Sequence, residues 1–248
     1  NFVRYTGSAG RYDFTDFDSS RRGDNFFGSF GELINEGDGV TDADGRFVLD
    51  LPADISDRTT SQNFTLEVSV TDPDSNQVVS GRTTAIVHKG DFYIGLRPRQ
   101  YVSSAGDDTL VDVITVDWQS QAVPDQELTV VLAERNWYSV QVQAEDGRYY
   151  WESQVETMPV FTTNVTTDEE GKGVATFVPE NGGIYQVIAT GMDEDGNAIR
   201  SSTFMWVSGS QFVNWRQENN DRLELVADKQ EYEVGDIATV LIPHPYVG

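Results

Sequence analysis

The chain has 248 residues, no cysteine and a formal net charge of −24. Without cysteine there is no disulfide, no thiolate nucleophile and no Cys-based metal site. A surface this acidic repels phosphate, which argues against nucleic acid or an anionic membrane surface as a partner.

The length suits one to two domains with cores of their own. Plentiful Thr, Val, Phe, Tyr and Trp, with dense turn dipeptides, point to an all-β class. No window shows sustained apolar 3.6 periodicity, so almost no helix is expected. No segment reads as a signal peptide or as an apolar run of membrane-spanning length.

Residues 1–31 are aromatic, acidic and glycine-bearing, without clean alternation before Phe26. They read as a long excursion, with Tyr12, Phe14 and Phe17 pinning it to a sheet face. The tripeptide Arg22, Gly23, Asp24 reads as a polar turn rather than an adhesion motif. Residues 31–34 enter a short strand. The run from Thr41 to Val48, TDADGRFV, is a tight hairpin turn followed by a strand at Phe47, Val48 and Leu49. Asp-Gly is a hairpin signal because Gly takes positive φ without a Cβ clash. Asp42 and Asp44 resemble a calcium loop, but the later bidentate Glu and flanking helices are missing. Their carboxylates are expected to accept backbone N–H groups of the turn.

Residues 63–90 read as a hairpin. Phe64, Leu66, Val68 and Val70 share one face, and the chain turns at residues 72–76. Residues 91–209 repeat the grammar as a whole unit. Strands are expected at 92–96, 110–118, 127–133, 136–143 and 184–190, with hairpin turns at Asp146–Gly147 and at 193–197. The run TDEEGKGV at 167–174 matches TDADGRFV nearly position for position. Residues 210–221 read as a linker anchored by Trp215. Residues 223–243 then give two strands and a turn around Tyr232 and Gly235. Leu223, Leu225 and Ala227 alternate there with polar or outward positions. The same order, Leu96, Tyr101, Gly106-Asp107 and a β-branched run, occurs about 130 residues earlier, the sign of a tandem array. Tyr101 and Tyr232 are expected to pack at equivalent places.

No catalytic constellation assembles. His88 and His244 stand alone at strand ends, without metal-ligand spacing. No nucleophile elbow, P-loop, HExxH or dinucleotide fingerprint is present. The carboxylates fall in turns or on polar strand faces. No catalytic, cofactor-binding or metal residues are therefore assigned, no cofactor is expected, and the chain is not read as an enzyme. Trp118, Trp137, Trp151 and Tyr149 could belong to a carbohydrate-binding surface if exposed; packing in cores and between domains is the preferred reading.

The series Leu223, Leu225, Asp228-Lys229, Tyr232, Gly235-Asp236, Ala238, Val240, Pro243 and Pro245-Tyr246 resembles the strand opening of the bacterial alpha-2-macroglobulin family. The resemblance extends to residues 31–47 and 182–191. It implies tandem antiparallel β-sandwiches, macroglobulin-like and Ig/fibronectin-like. Residues 1–90 would be the C-terminal part of one, 91–209 a complete one, 210–221 a linker and 222–248 the first strands of a third. The family resemblance implies a broad-spectrum endopeptidase inhibitor: a protease cuts a bait segment, the array rearranges, and the protease is caged. This chain would be scaffold upstream of the bait and, lacking cysteine, holds no thioester. The implied partners are target proteases reached through other parts of the protein, neighbouring macroglobulin-like domains and another cell-envelope protein. The implied location is the periplasm or outer side of the envelope, with a lipoprotein anchor in some members. The competing reading is an Ig-like adhesion protein or structural stalk.

Overall fold

The computed structural model describes residues 11–16, 32–144, 147–209, 225–229 and 231–242. They form strands, turns and extended chain, and no helix among them is long and apolar enough to cross a membrane. Phe17, the Arg-Gly-Asp tripeptide, Asp146, the Trp215 linker, Leu223 and His244 lie outside the described residues.

Strands β1 (Gln62–Thr71) and β2 (Val78–Val87) form the expected hairpin, in unbroken antiparallel register from Gln62↔Val87 to Thr71↔Val78. Asp72 holds the turn: its carboxylate accepts the Asp74 amide and the Ser75 hydroxyl. Leu66, Val68 and Val70 remain exposed, because no second sheet among the described residues covers their face. Of the strand expected at 31–34, residues 32–34 are described and are exposed coil, as are Phe47, Val48 and Leu49, where a strand was also expected. Alternation suits a residue for a ladder, but a strand exists only where a partner accepts its N–H groups. No such partner lies beside this stretch among the described residues.

Eight strands follow: β3 (Tyr93–Pro98), β4 (Val102–Ser104), β5 (Thr109–Val116), β6 (Glu127–Gln143), β7 (Tyr149–Thr166), β8 (Lys172–Phe177), β9 (Gly183–Met192) and β10 (Ala198–Ser208). They make two layers, β3-β5-β8 and β4-β10-β9-β6-β7. This is an all-β sandwich of fibronectin-like order. All neighbours run antiparallel except β4, which lies parallel to β10 at Val102↔Trp206. β3 and β4 are one strand that changes sheets. Pro98 ends the first pairing, and Arg99 to Tyr101 carry the chain across.

The period of two explains the core. Ile94 and Leu96, Val111 and Val113, and Ala175 and Phe177 face inward from one sheet. Leu128, Val130 and Leu132, with Tyr185, Val187 and Ala189, face them from the other. Ile114 and Val116 have the opposite parity and join a second, outer cluster with Tyr93, Tyr12 and Phe14. Residues 11–16 therefore lie on the sandwich, as expected for Tyr12 and Phe14. Asp13 exchanges both backbone hydrogen bonds with Leu96, at 2.8 and 2.9 Å.

A third ladder is small: β11 (Val226–Ala227) with β12 (Val240–Leu241). Its expected inner residue Leu225 is 63% exposed and Val226 only 8%, so the predicted face is inverted among the described residues. Apolar parity shows which residues could be covered; the neighbouring layer decides which are.

Candidate interaction surfaces: turns, joints and a projecting arm

One turn chemistry recurs. In TDADG, the Asp42 carboxylate accepts the amides of Asp44 and Arg46 at 2.9 and 2.8 Å, and Gly45 holds φ +75°. In TDEEG, Asp168 accepts the amides of Glu170 and Lys172, both at 2.9 Å, and Gly171 holds φ +71°. The carboxylates thus have backbone partners, as read from the sequence. Asp193 repeats the device around Gly196, its carboxylate accepting the Asn197 amide at 2.7 Å. Asp117 performs it with Ser120 in the left-handed position, without a glycine signal to announce it. Among the described residues no group of three or more His, Asp or Glu is placed to hold a metal ion.

The motif at the third ladder knits itself closed. Asp228 Oδ1 accepts the Tyr232 hydroxyl at 2.6 Å and the Thr239 amide at 2.9 Å. Lys229 Nζ reaches Asp236 Oδ2 at 3.5 Å, and Asp236 also accepts the Glu233 amide. The Tyr232 hydroxyl holds the Asp228 carboxyl below its ordinary value, with the Thr239 amide helping. A carboxyl depressed by folding contributes stability above its ordinary value of 3.8 and loses it as pH falls through the lower folded value. The Thr239 amide shift, followed by NMR, is therefore expected to stay constant from pH 7 to about 4 and to move only below that.

Register corrects the tyrosine equivalence. Arg99 N–H donates to Leu110 O just as Asp228 N–H donates to Thr239 O. Gly106 and Gly235 both have positive φ, followed by the same turn from Asp107 to Ser104 and from Asp236 to Glu233. With Leu96 matched to Leu225, every one of these pairs shares one offset, and Tyr101 then falls opposite residue 230, not Tyr232. Tyr101 has a different task. Its amide donates to Asp228 O at 2.9 Å and its carbonyl accepts Trp206 N–H at 2.7 Å, so its backbone joins the third ladder to the sandwich.

A second joint lies where the first hairpin meets the sandwich. The Tyr93 hydroxyl lies 2.9 Å from Ser61 Oγ and 2.5 Å from His88 Nδ1. Burial raises the tyrosine's pKa, which keeps the hydroxyl protonated and able to donate. Ser61 Oγ also accepts the Lys89 amide, and Lys89 Nζ reaches the carbonyls of Ile55 and Ser56. His88 also packs against the half-exposed Trp118, with ring centroids 5.5 Å apart. Here His88 serves as a packing and hydrogen-bonding residue. Tyr93→Phe is expected to lose about 1–2 kcal/mol in a urea melt, because Ser61 and His88 then share no hydroxyl.

The β6–β7 ribbon projects from the sandwich. β6 is paired on both sides only from Thr129 to Arg135; from Asn136 to Gln143 its sole partner is β7. Those eight residues carry the arm roughly 26 Å past the sandwich. A bulge at Leu132/Ala133 leaves Val160 as the extra residue of β7 shortly before the arm departs, and bulges re-aim a ribbon. Tyr138, Val140, Tyr149 and Tyr150 are exposed on it. Trp137 is not: with Phe204 it flanks the buried Arg135 guanidinium, at 5.1 and 4.8 Å from the ring centroids. The aromatics singled out in the sequence thus divide between packing at Trp137 and exposure at Trp118 and Tyr149. The side chain of Trp151 lies outside the described residues.

Residues 95–208 match the family described as bacterial macroglobulin domain 6. An alpha-2-macroglobulin homolog of Nostoc sp. is 28% identical over 183 residues, covering 74% of this chain and 9% of that protein. In a cryo-EM reconstruction, E. coli alpha-2-macroglobulin in its native conformation is similar in fold, with TM-score 0.50 and 17% identity over 83% of this chain and 14% of its own. A crystal structure of Salmonella alpha-2-macroglobulin reacted with methylamine gives TM-score 0.45 and 17% identity over 75% of this chain and 12% of its own. The chain therefore spans about a tenth of the length of the curated relative. Residues 95–208 are thus similar to bacterial macroglobulin domain 6, and the chain shows distant homology to the bacterial alpha-2-macroglobulins.

Proposed function

We propose that this chain is a non-enzymatic scaffold segment of an alpha-2-macroglobulin-like endopeptidase inhibitor. The observation that carries this reading is the match of residues 95–208 to a bacterial macroglobulin domain inside a chain whose relative is an alpha-2-macroglobulin homolog. The architecture suits the role. A trap needs stiff parts and interfaces that can shift, because displacement must pass through the array without unfolding it. The sandwich supplies an apolar two-layer core, and the joints at Tyr93 and Tyr101 are polar and local.

In this reading residues 1–90 complete one macroglobulin-like domain, 91–209 form the next, 210–221 link it onward and 222–248 open a third. Proteases would be met by other parts of the whole protein, in the periplasm or on the outer side of the envelope.

Limited proteolysis of the full-length protein with several unrelated proteases tests this. Early cuts clustered in one segment beyond the third ladder, with a smaller hydrodynamic radius and retained protease, are expected. Cuts scattered over linkers, with unchanged radius and free protease, would replace the trap by an Ig-like stalk.

A further inference from the structure

We infer that the seam between β3 and β10 is a strand-accepting site, and that residues 11–16 are the peptide it recognises. The seam belongs to the sandwich, yet its occupant comes from the chain ahead of the first hairpin. Recognition has three parts. The main chain docks as a short added strand: Asp13 and Leu96 exchange two hydrogen bonds, and Ser202 N–H donates to Thr15 O at 2.9 Å. β3 is paired only with β5 on its other side, and β10 is paired with β9, so these groups point into the seam whether or not it is filled. Left empty, it would strand backbone donors and acceptors in a largely buried place.

Two carboxylates supply the second part. Thr203 Oγ1 donates to Asp13 Oδ2 and Ser202 Oγ to Asp16 Oδ1, each at 2.9 Å. Arg200 Nε stands 3.5 Å from Asp16 Oδ2, and the Asp16 side chain is 2% exposed. Aromatic fit is the third. Tyr12 is buried beneath the Arg97 guanidinium, 4.9 Å from its ring centroid. Phe14 occupies the space over Gly95, where a Cβ would come within 2.7 Å of its ring. The site thus selects an extended aromatic-Asp-aromatic-x-Asp segment, the strand-addition mode of peptide recognition.

Because the contacts made by residues 11–16 are non-covalent, the segment can be supplied in trans. The test uses the whole chain carrying Tyr12→Gly with Phe14→Gly, and a labelled, end-capped peptide of residues 11–16. The variant is expected to bind the peptide at least ten-fold more tightly than the wild-type chain, whose seam is filled. A peptide with both aspartates changed to Ala should bind at least ten-fold more weakly. A folded variant that binds the peptide no better than wild type overturns the inference. Amide exchange on the wild-type chain decides the matter even if the variant does not fold: slow exchange at Asp13 and Ser202 is required, and fast exchange at both would refute a docked strand.

Discussion

Replacing Gly171 by Val is expected to destabilise the sandwich by more than about 3 kcal/mol, while Gly45→Val costs only about 1–2 kcal/mol. Both glycines close the same Asp-initiated turn with positive φ. A β-branched residue forced into that region is strained at either site, and this sets the common part of the loss. The sites differ in their surroundings. A Cβ on Gly45 meets nothing within 4 Å. On Gly171 it would stand 2.6 Å from the carbonyl oxygen of Thr115, and 3.3 Å from Val123 N and O. That oxygen cannot move aside, since Thr115 O accepts Val123 N–H at 2.9 Å and Thr115 N–H donates to Gly171 O at 2.8 Å. Urea melts of the two variants check the ranking. Equal losses would show that the Gly171 turn is not seated against β5.

Phe177→Ala is expected to cost about 3–5 kcal/mol, by lost transfer energy and by the cavity it leaves. Phe177 is almost wholly buried at the end of β8 and meets Phe161 edge-on, with ring centroids 5.5 Å apart. Phe161 is half-exposed on β7, so Phe161→Ala should cost much less, about 1 kcal/mol. The pair separates core packing from the aromatic contact between them. If the two losses were alike, the inner face assigned to β8 would be wrong.

What the sequence disclosed was local chemistry. Asp42 with Gly45, Asp168 with Gly171 and Asp193 with Gly196 could be read as turns because a carboxylate and a positive-φ glycine do the work within five residues. The β1–β2 hairpin was legible for the same reason, and so was the alternation of Leu128, Val130 and Leu132. The offset of the repeat was visible, but its alignment by tyrosine was not sound. Tyr232 closes its own turn through Asp228, whereas Tyr101 works through its backbone at a sheet crossing. A side chain's letter does not reveal which of these it does.

Long-range events were harder to read. The runs at 127–133 and 136–143 were legible as strand, but their continuation past β9 into an arm follows from where the β6–β9 pairing ends, at Arg135↔Ile184 beside the start of β9. Leu225 and Phe47 carry strand-like patterns and yet stand exposed, because burial depends on a second layer that no local pattern specifies. The docking of residues 11–16 on a seam lined by Ser201, Ser202 and Thr203 could be guessed only in part. Tyr12 and Phe14 marked the segment, while three consecutive small hydroxyl residues in β10 gave no hint that they receive a strand.

In the proposed trap, the 93–208 sandwich is a stiff part that moves as a unit. The most direct measurement is hydrogen exchange on the full-length protein before and after exposure to a protease. The prediction is unchanged protection in β3, β5, β8, β9 and the inner half of β6, with changes confined to the joints around Ser61, His88 and Tyr93 and around Tyr101 and Asp228. Loss of protection at Val113, Val130 and Val187 after cleavage would contradict it, since a domain that opens its core is not transmitting motion as a rigid part.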